Sequence, residues 1–391
     1  MRVGIVANNL YDGGEVAWTK VLINSLLLLE NVNRVNIYSF KHFDNFLDEF
    51  GQHEKVAVKK TIFNIGPFHG HSLVHRYMIN LLKFFSNPIA YKLFEVSLFE
   101  KENDLLIFPN MADEALQCRT SYIIVPHDLR HKYKSGRFFF RLKEYIRELA
   151  YKKKLDLASC IIAESDYVKR DIVEFYGIDS NKIKIIVSPV MINQKLKIAE
   201  KRQIENKYSI TGDYLLYPAH LIHMKNHITL IRAIHHIRNT CKVTIPVILV
   251  GSKSSDYDKI METIEDLGLS AQIRYLGFVP EEDLFYLYKF SRGLVMPSLF
   301  ESVSMPIWEA FALGVPVTSS NVCALPEQVG DAGLIFDPNS VEDMSEKIYS
   351  LWTNRELRDD LISRGYRKIE GLTLENYAKY WQNLLGSLNI A

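Results

Sequence analysis

The chain has 391 residues, 48% of them apolar and 24% charged, with a formal net charge of +1. That composition is ordinary for a soluble globular enzyme and gives no reason to expect nucleic acid as a partner. The length is too great for one core and predicts two domains of similar size. The longest apolar runs, such as residues 21–29, carry polar breaks and are too short to cross a bilayer. The four cysteines, Cys118, Cys160, Cys241 and Cys323, are isolated. Three sit in or beside apolar strand-like runs, so buried reduced thiols and a cytoplasmic location are expected.

In chain order, residues 2–7 read as a strand rather than a signal peptide. Further strands are expected at 35–40, 56–63, 104–108, 122–126, 160–163 and 183–187. Helices are expected between several of them, at 15–30, 71–85, 138–157 and 165–176. Ser165 is a good helix cap with Asp166 in the first turn, and Gly177 ends that helix. Between Arg130 and Lys154 stand ten Lys or Arg residues against Glu144 and Glu148. Aromatics interleave them, among them Phe138, Phe139, Phe140 and Tyr145. Such a segment can dock on anionic lipid, or be an amphipathic helix with one packed face and solvated charges.

After a polar stretch following Pro189 the pattern restarts, with strands expected at 213–218, 244–250, 272–276, 294–296, 316–319 and 333–336. Helices fall at 226–238, 256–267, 281–290 and 306–313. Repeated strand–helix units predict an α/β protein of two doubly wound, Rossmann-like domains with parallel sheets, facing a cleft. The expected division is 1–190 and 191–371, joined near residues 188–212.

Several loops could carry chemistry. Asp12-Gly13-Gly14-Glu15 follows the first strand and lets backbone approach a ligand, or is simply a tight turn. It does not fit a dinucleotide fingerprint. His127-Asp128 follows the 122–126 strand, where His127 can donate to hydroxyls or act as acid or base, or only orient Asp128. Residues 219–227 hold His220, His223, Lys225, Asn226 and His227. Lys225 is a natural phosphate counter-charge and Asn226 a candidate helix cap. The ammonium amid the three histidines argues against a metal. Asp256-Tyr257-Asp258 has the form of a metal-binding DxD, but acids at a helix start explain it better.

The most informative stretch is residues 297–310, PSLFESVSMPIWEA. Glu301 stands in a polar loop and Glu309 eight positions on, inside the helix. Ser302 or Ser304 can cap that helix, and Pro306 suits its first turn. Free amides at the helix start form an anion site suited to phosphate. Two acids beside it point to gripped hydroxyls, and a nucleotide sugar meets both needs. Glu309 lies among apolar neighbours, where a carboxylate needs a partner.

These segments resemble the retaining glycosyltransferases of family 4, which have the GT-B fold. The strongest match runs in order through residues 276–284, Pro297-Ser298, the Glu301-x7-Glu309 motif, Gly314-Val315-Pro316-Val317, Leu325-Pro326-Glu327 and residues 330–338. The first half matches more loosely, through Gly13-Gly14, His127-Asp128 and residues 164–171. The resemblance implies that Glu309 holds the donor ribose, Glu301 lies near the donor sugar's hydroxyls, and Lys225 is the diphosphate cation. It places Ser304, Met305 and Pro306 in the loop presenting amides to sugar and diphosphate. Phe278 and Val279 would bracket the base, and Gly13 and Gly14 would lie near diphosphate and acceptor. His127 would meet the sugar, while Asn226, Gly251 and His220 complete the donor-binding set. Glu301, His127 and Lys225 form the expected catalytic set.

His220 stands where the family often has an arginine, and Glu301-Ser302-Val303-Ser304 replaces its glycine-rich acid loop. Tyr217-Pro218-Ala219 with Lys225-Asn226-His227 is similar to bacterial polysaccharide mannosyltransferases. The family also implies a helix at 372–391 returning to the first domain. The expectation is a metal-independent, retaining hexosyltransferase with no cofactor, using a GDP- or UDP-linked sugar as substrate. Its acceptor would be lipid-linked or a glycan, in bacterial surface polysaccharide assembly, with a peripheral contact at the inner face of the cell membrane through segment 130–154. A nucleotide-sugar epimerase of the same fold and a non-catalytic donor-binding partner of another transferase are the alternatives.

Overall fold

The computed structural model describes residues 1–7, 14–39, 49–60, 96–133, 141–190 and 201–388. Two compact units result: Met1–Pro189 with Thr373–Ala391, and Val190–Leu372. The expected helix at 71–85 lies outside the described residues, as does Gly13.

In the first unit a seven-stranded sheet has the order β3-β2-β1-β4-β5-β6-β7, every neighbouring pair parallel. Its strands are β1 (Arg2–Val6), β2 (Arg34–Ser39), β3 (Val56–Lys60), β4 (Leu105–Phe108), β5 (Tyr122–Ile124), β6 (Cys160–Ala163) and β7 (Ile183–Ile185). The described helices of this unit are α1 (Gly14–Leu27), α2 (Val96–Glu102), α3 (Arg141–Leu157) and α4 (Asp166–Tyr176). LLIF in β4 and CIIA in β6 are buried at every position, as parallel strands covered on both faces must be. The α4 cap follows the local signals: the Ser165 side chain accepts from the Val168 amide, and Gly177 closes the helix at φ 64°.

The second unit holds a six-stranded parallel sheet in the order β10-β9-β8-β11-β12-β13. Its strands are β8 (Leu215–Pro218), β9 (Val247–Val250), β10 (Ile273–Tyr275), β11 (Gly293–Met296), β12 (Val317–Ser320) and β13 (Gly333–Phe336). Helices alternate with them: α5 (Lys201–Tyr208), α6 (His227–Thr240), α7 (Tyr257–Asp266), α8 (Glu281–Lys289), α9 (Met305–Ala312), α10 (Leu325–Val329), α11 (Val341–Thr353) and α12 (Arg355–Ile369). The order reverses between β8 and β11, the place where open α/β sheets hold ligands beyond their strand ends.

The last helix, α13 (Leu374–Ser387), belongs to the first unit and packs on α1. Trp381 is fully buried there, its ring centroid 6.5 Å from that of Trp18.

Three expectations need correction. Several strands are shorter than expected, β5 (Tyr122–Ile124) by two residues and β9 (Val247–Val250) by three. Of the cysteines only Cys160 is buried; Cys118 and Cys323 are half-buried and Cys241, closing α6, is exposed. The polar helices α5 and α12 were not foreseen. In α12 only Leu361 and Gly365 are buried, too narrow a stripe for an apolar pattern to reveal.

Candidate donor-binding site

In the second unit, β8 and β11 are paired neighbours, so the loops that leave them lie side by side. The β8 loop ends in a 3-10 turn, His223–Lys225, followed by Asn226 at φ 55°. Asparagine tolerates this left-handed conformation better than most residues. The expected Asn226 cap is not formed. Its amide nitrogen instead donates to the carbonyls of Pro297 (3.0 Å) and Pro338 (2.9 Å), while Thr229 donates to its oxygen. Asn226 thereby fastens the lysine turn to the end of β11.

The lysine turn and the acid loop then meet. Lys225 Nζ forms an ion pair with Glu301 Oε2, and the Ser298 hydroxyl donates to the same oxygen at 3.1 Å. Both charged side chains retain only modest exposure, 20% for Lys225 and 15% for Glu301. The Leu299 amide donates to the Met224 carbonyl at 2.8 Å, a second tie between the two loops. A cation and a carboxylate held so close can separate when a ligand offers each a better partner.

Glu309 lies on α9 and is half-buried. Desolvation raises its pKa to about 7; the Tyr288 hydroxyl on α8 opposes that rise, and Glu281 adds to it. The apolar neighbours seen in the sequence therefore leave this carboxyl neutral or ionised near physiological pH. Tyr288 was not singled out from the sequence, although it faces α9 from the adjacent helix.

Ser304 precedes α9, and Pro306 stands in its first turn. The expected Ser304 cap is not formed, since its side chain makes no cap bond. Its amide donates instead to Gln328 Oε1 at 2.9 Å. Met305 and Pro306 are half-buried, and Met305 contributes one of the first-turn amides that lack intrahelical acceptors.

The other donor-set residues sit on neighbouring loops. Gly251, just after β9, has φ 147°, and a Cβ there would lie 2.2 Å from the Ala219 carbonyl oxygen. Only glycine permits that approach of the β8 and β9 loops. Phe278, after β10, is 79% exposed, whereas Val279 beside it is buried. The two therefore do not present one apolar surface. His220 is exposed, and His223 Nδ1 lies 3.9 Å from Asp256 Oδ2. His227 is buried against Tyr217 with ring centroids 4.6 Å apart. Burial, aided by Lys225, pulls its pKa down to about 3, so it is neutral. The three histidines thus face different surroundings. Among the described residues no group of three or more His, Cys, Asp or Glu side chains is placed to hold a metal. Asp256 precedes α7 without capping it, and Asp258 follows in its first turn.

In the first unit, Gly14 opens α1, and none of the described residues lies within 4 Å of where a Cβ would point. His127 follows β5, and its Nδ1 lies 2.8 Å from Glu164 Oε2. The parallel register explains the pair: Ile124 stands opposite Ile161, and three residues later each strand reaches His127 and Glu164. Glu164 was not singled out, yet the strand alignment alone could have found it. Burial works to lower the His127 pKa, but the Glu164 hydrogen bond and charge outweigh it and the net shift is upward. The ring meets Trp18 edge-on at 5.5 Å, and Nε2 is shielded from solvent.

Segment 130–154 is less freely basic than its composition. Lys154 is buried and donates to the Met111 carbonyl at 2.7 Å, and Lys132 pairs with Glu148 at 2.5 Å. Tyr145 and Tyr133 are exposed. No helix among the described residues is long and apolar enough to cross a membrane.

Residues 198–368 match the family model of glycosyl transferases group 1. The chain is 34% identical over 233 residues to O-antigen chain mannosyltransferase B of Escherichia coli, covering 59% of this chain and 61% of that protein. It is 26% identical over 375 residues to the serotype-specific mannosyltransferase WbdA of Escherichia coli, covering 93% of this chain and 43% of the relative. The chain thus spans less than two thirds of the length of these relatives, 61% of one and 43% of the other. Among solved structures, Anabaena HepE in complex with UDP and glucose superposes with a TM-score of 0.75 at 17% identity, covering 99% of this chain and all of that one. The shared fold is GT-B.

Proposed function

We propose that this chain, whose residues 198–368 match the family model of glycosyl transferases group 1, moves a hexose from a nucleotide-diphosphate sugar to a lipid-linked or glycan acceptor in bacterial surface polysaccharide assembly. The relatives' names favour mannose as the hexose. The observation that carries the reading is the Lys225–Glu301 ion pair, fastened by Ser298 and Asn226 where the β8 and β11 loops run together.

In this reading the donor diphosphate takes Lys225 away from Glu301. The released carboxylate then accepts a hydroxyl of the sugar. Lys225 and the first-turn amides of α9 stabilise the charge that develops on the leaving diphosphate, in place of a metal. Glu309 accepts the ribose hydroxyls in its ionised form, and exposed Phe278 is available to stack on the base. His220 and Gly251 border the same strand ends, with Gly251 keeping backbone close. His127 is the first unit's candidate for a hydroxyl contact, and Gly14 its candidate for close backbone approach.

The reaction proposed is retaining. The anomeric C–O bond to the diphosphate breaks while the acceptor oxygen bonds on the same face, and the acceptor's proton passes to the departing phosphate oxygen. Exposed Tyr145 and Tyr133 amid basic residues are the contact proposed for an anionic membrane surface.

A thermal-shift panel of UDP-, GDP- and ADP-sugars tests the donor assignment. A ligand bound only by the native state raises its stability, so one nucleotide series should stabilise selectively. A panel in which no nucleotide sugar shifts the midpoint refutes the donor reading.

A further inference from the structure

The acid loop from Glu301 to Ser304 contains no glycine, yet it must hold Glu301 in one place. Neighbouring elements tie it at intervals. The Ser320 hydroxyl on β12 donates to the Ser298 carbonyl at 2.7 Å, and the Ala324 amide donates to the Glu301 carbonyl at 3.4 Å. The last tie is double. Gln328 on α10 accepts from the Ser304 amide at 2.9 Å and donates through Nε2 to the Ser304 carbonyl at 2.6 Å. Both residues are buried, Gln328 5% and Ser304 1% exposed. The same carbonyl also accepts from the Ile307 amide at 3.2 Å, so the clamp acts where α9 begins.

We propose that Gln328 is a positioning residue for the donor loop, its carboxamide gripping both sides of Ser304 and fixing the path from Glu301 to the first turn of α9. The inference rests on the donor-site reading of Glu301. Its chemistry is specific to a side-chain amide, which accepts and donates in one plane. A leucine of similar size can do neither, and leaves a buried amide without an acceptor. A glutamate can do both only when protonated. The clamp also removes the Ser304 amide from the donors available to a ligand, leaving Met305 as the first free position of the helix start.

Hydrogen–deuterium exchange, nucleotide-sugar kinetics and two variants test this. In the wild-type protein without ligand, the Ser304 amide should be protected; free exchange at that amide overturns the clamp. Gln328→Leu should speed exchange across residues 298–305 at least tenfold and lower kcat/KM for the donor at least tenfold. The acceptor KM should stay within twofold. Gln328→Glu should regain activity relative to wild type as the pH falls, and Gln328→Leu should not. A lowered melting temperature with donor kinetics and exchange unchanged would assign Gln328 a structural role only. If Glu301→Ala abolishes transfer and Gln328→Leu leaves it intact, the clamp alone fails. If the wild-type protein transfers no sugar, the functional reading fails while the exchange measurement still decides the clamp.

Discussion

Glu309→Gln removes a charge that the fold itself disfavours. With a folded-state pKa of about 7 against an ordinary 4.5, the carboxyl holds its proton more tightly in the native than in the unfolded chain. The group's contribution is therefore most favourable below about pH 4.5 and is lost as the pH rises through about 7. At about 1.4 kcal/mol per unit, ionising Glu309 in place costs up to about 3 kcal/mol. Glutamine keeps the shape and has nothing to titrate. Urea unfolding of both proteins at intervals from pH 5 to pH 8 should show wild type losing stability relative to the variant, by about 2 to 3 kcal/mol across the range. Nucleotide-sugar affinity should move the other way. Wild-type binding should strengthen with rising pH as the carboxylate forms, and the variant should bind weakly and without that pH dependence. Parallel unfolding curves would refute the desolvation argument, and pH-independent wild-type binding would refute the ribose contact.

Glu301→Ala and Lys225→Ala should each lower transfer by at least about 100-fold, the scale of losing one transition-state donor, with circular dichroism unchanged; wild-type-like turnover in either sinks the site. Gly251→Ala should cost about 1 to 3 kcal/mol in urea unfolding, because a methyl 2.2 Å from the Ala219 carbonyl forces the two loops apart; a neutral result would mean that the loops move freely. Sedimentation with liposomes should show binding that requires anionic lipid and weakens with salt. Binding indifferent to both would remove segment 130–154 as the contact.

Much of the fold could be read from local signals, because buried parallel strands are short apolar runs and helix ends carry their own chemistry. Ser165 and Gly177 bracket α4 in the way their residue types require. β12 shows where such reading thins out: its Thr318, Ser319 and Ser320 are polar yet wholly buried, and Ser320 serves the neighbouring loop. The two acids and Lys225 were visible as residue types, but the pairing of Lys225 with Glu301 depends on β8 lying beside β11, which no local pattern carries. Ser304 and Asn226 illustrate the same limit. Each has the composition of a cap, and each is diverted to a partner distant in sequence, Gln328 for one and Pro297 and Pro338 for the other. Glu164 lay between these extremes, recoverable from strand register once His127 was chosen.

The helix α13 gives the first unit a debt to the far end of the chain. During synthesis the ribosome emits residues 1–189, then all of 190–372, before the segment bearing Trp381 appears. Until then Trp18 and the rest of the apolar face of α1 that Trp381 covers stand open to water. Residues 190–372 are complete earlier in chain order, so they can settle while the N-terminal residues still wait. A nascent chain stalled short of Leu374 would leave that apolar face uncovered, making the interval before α13 emerges the one in which the first unit most needs chaperone protection.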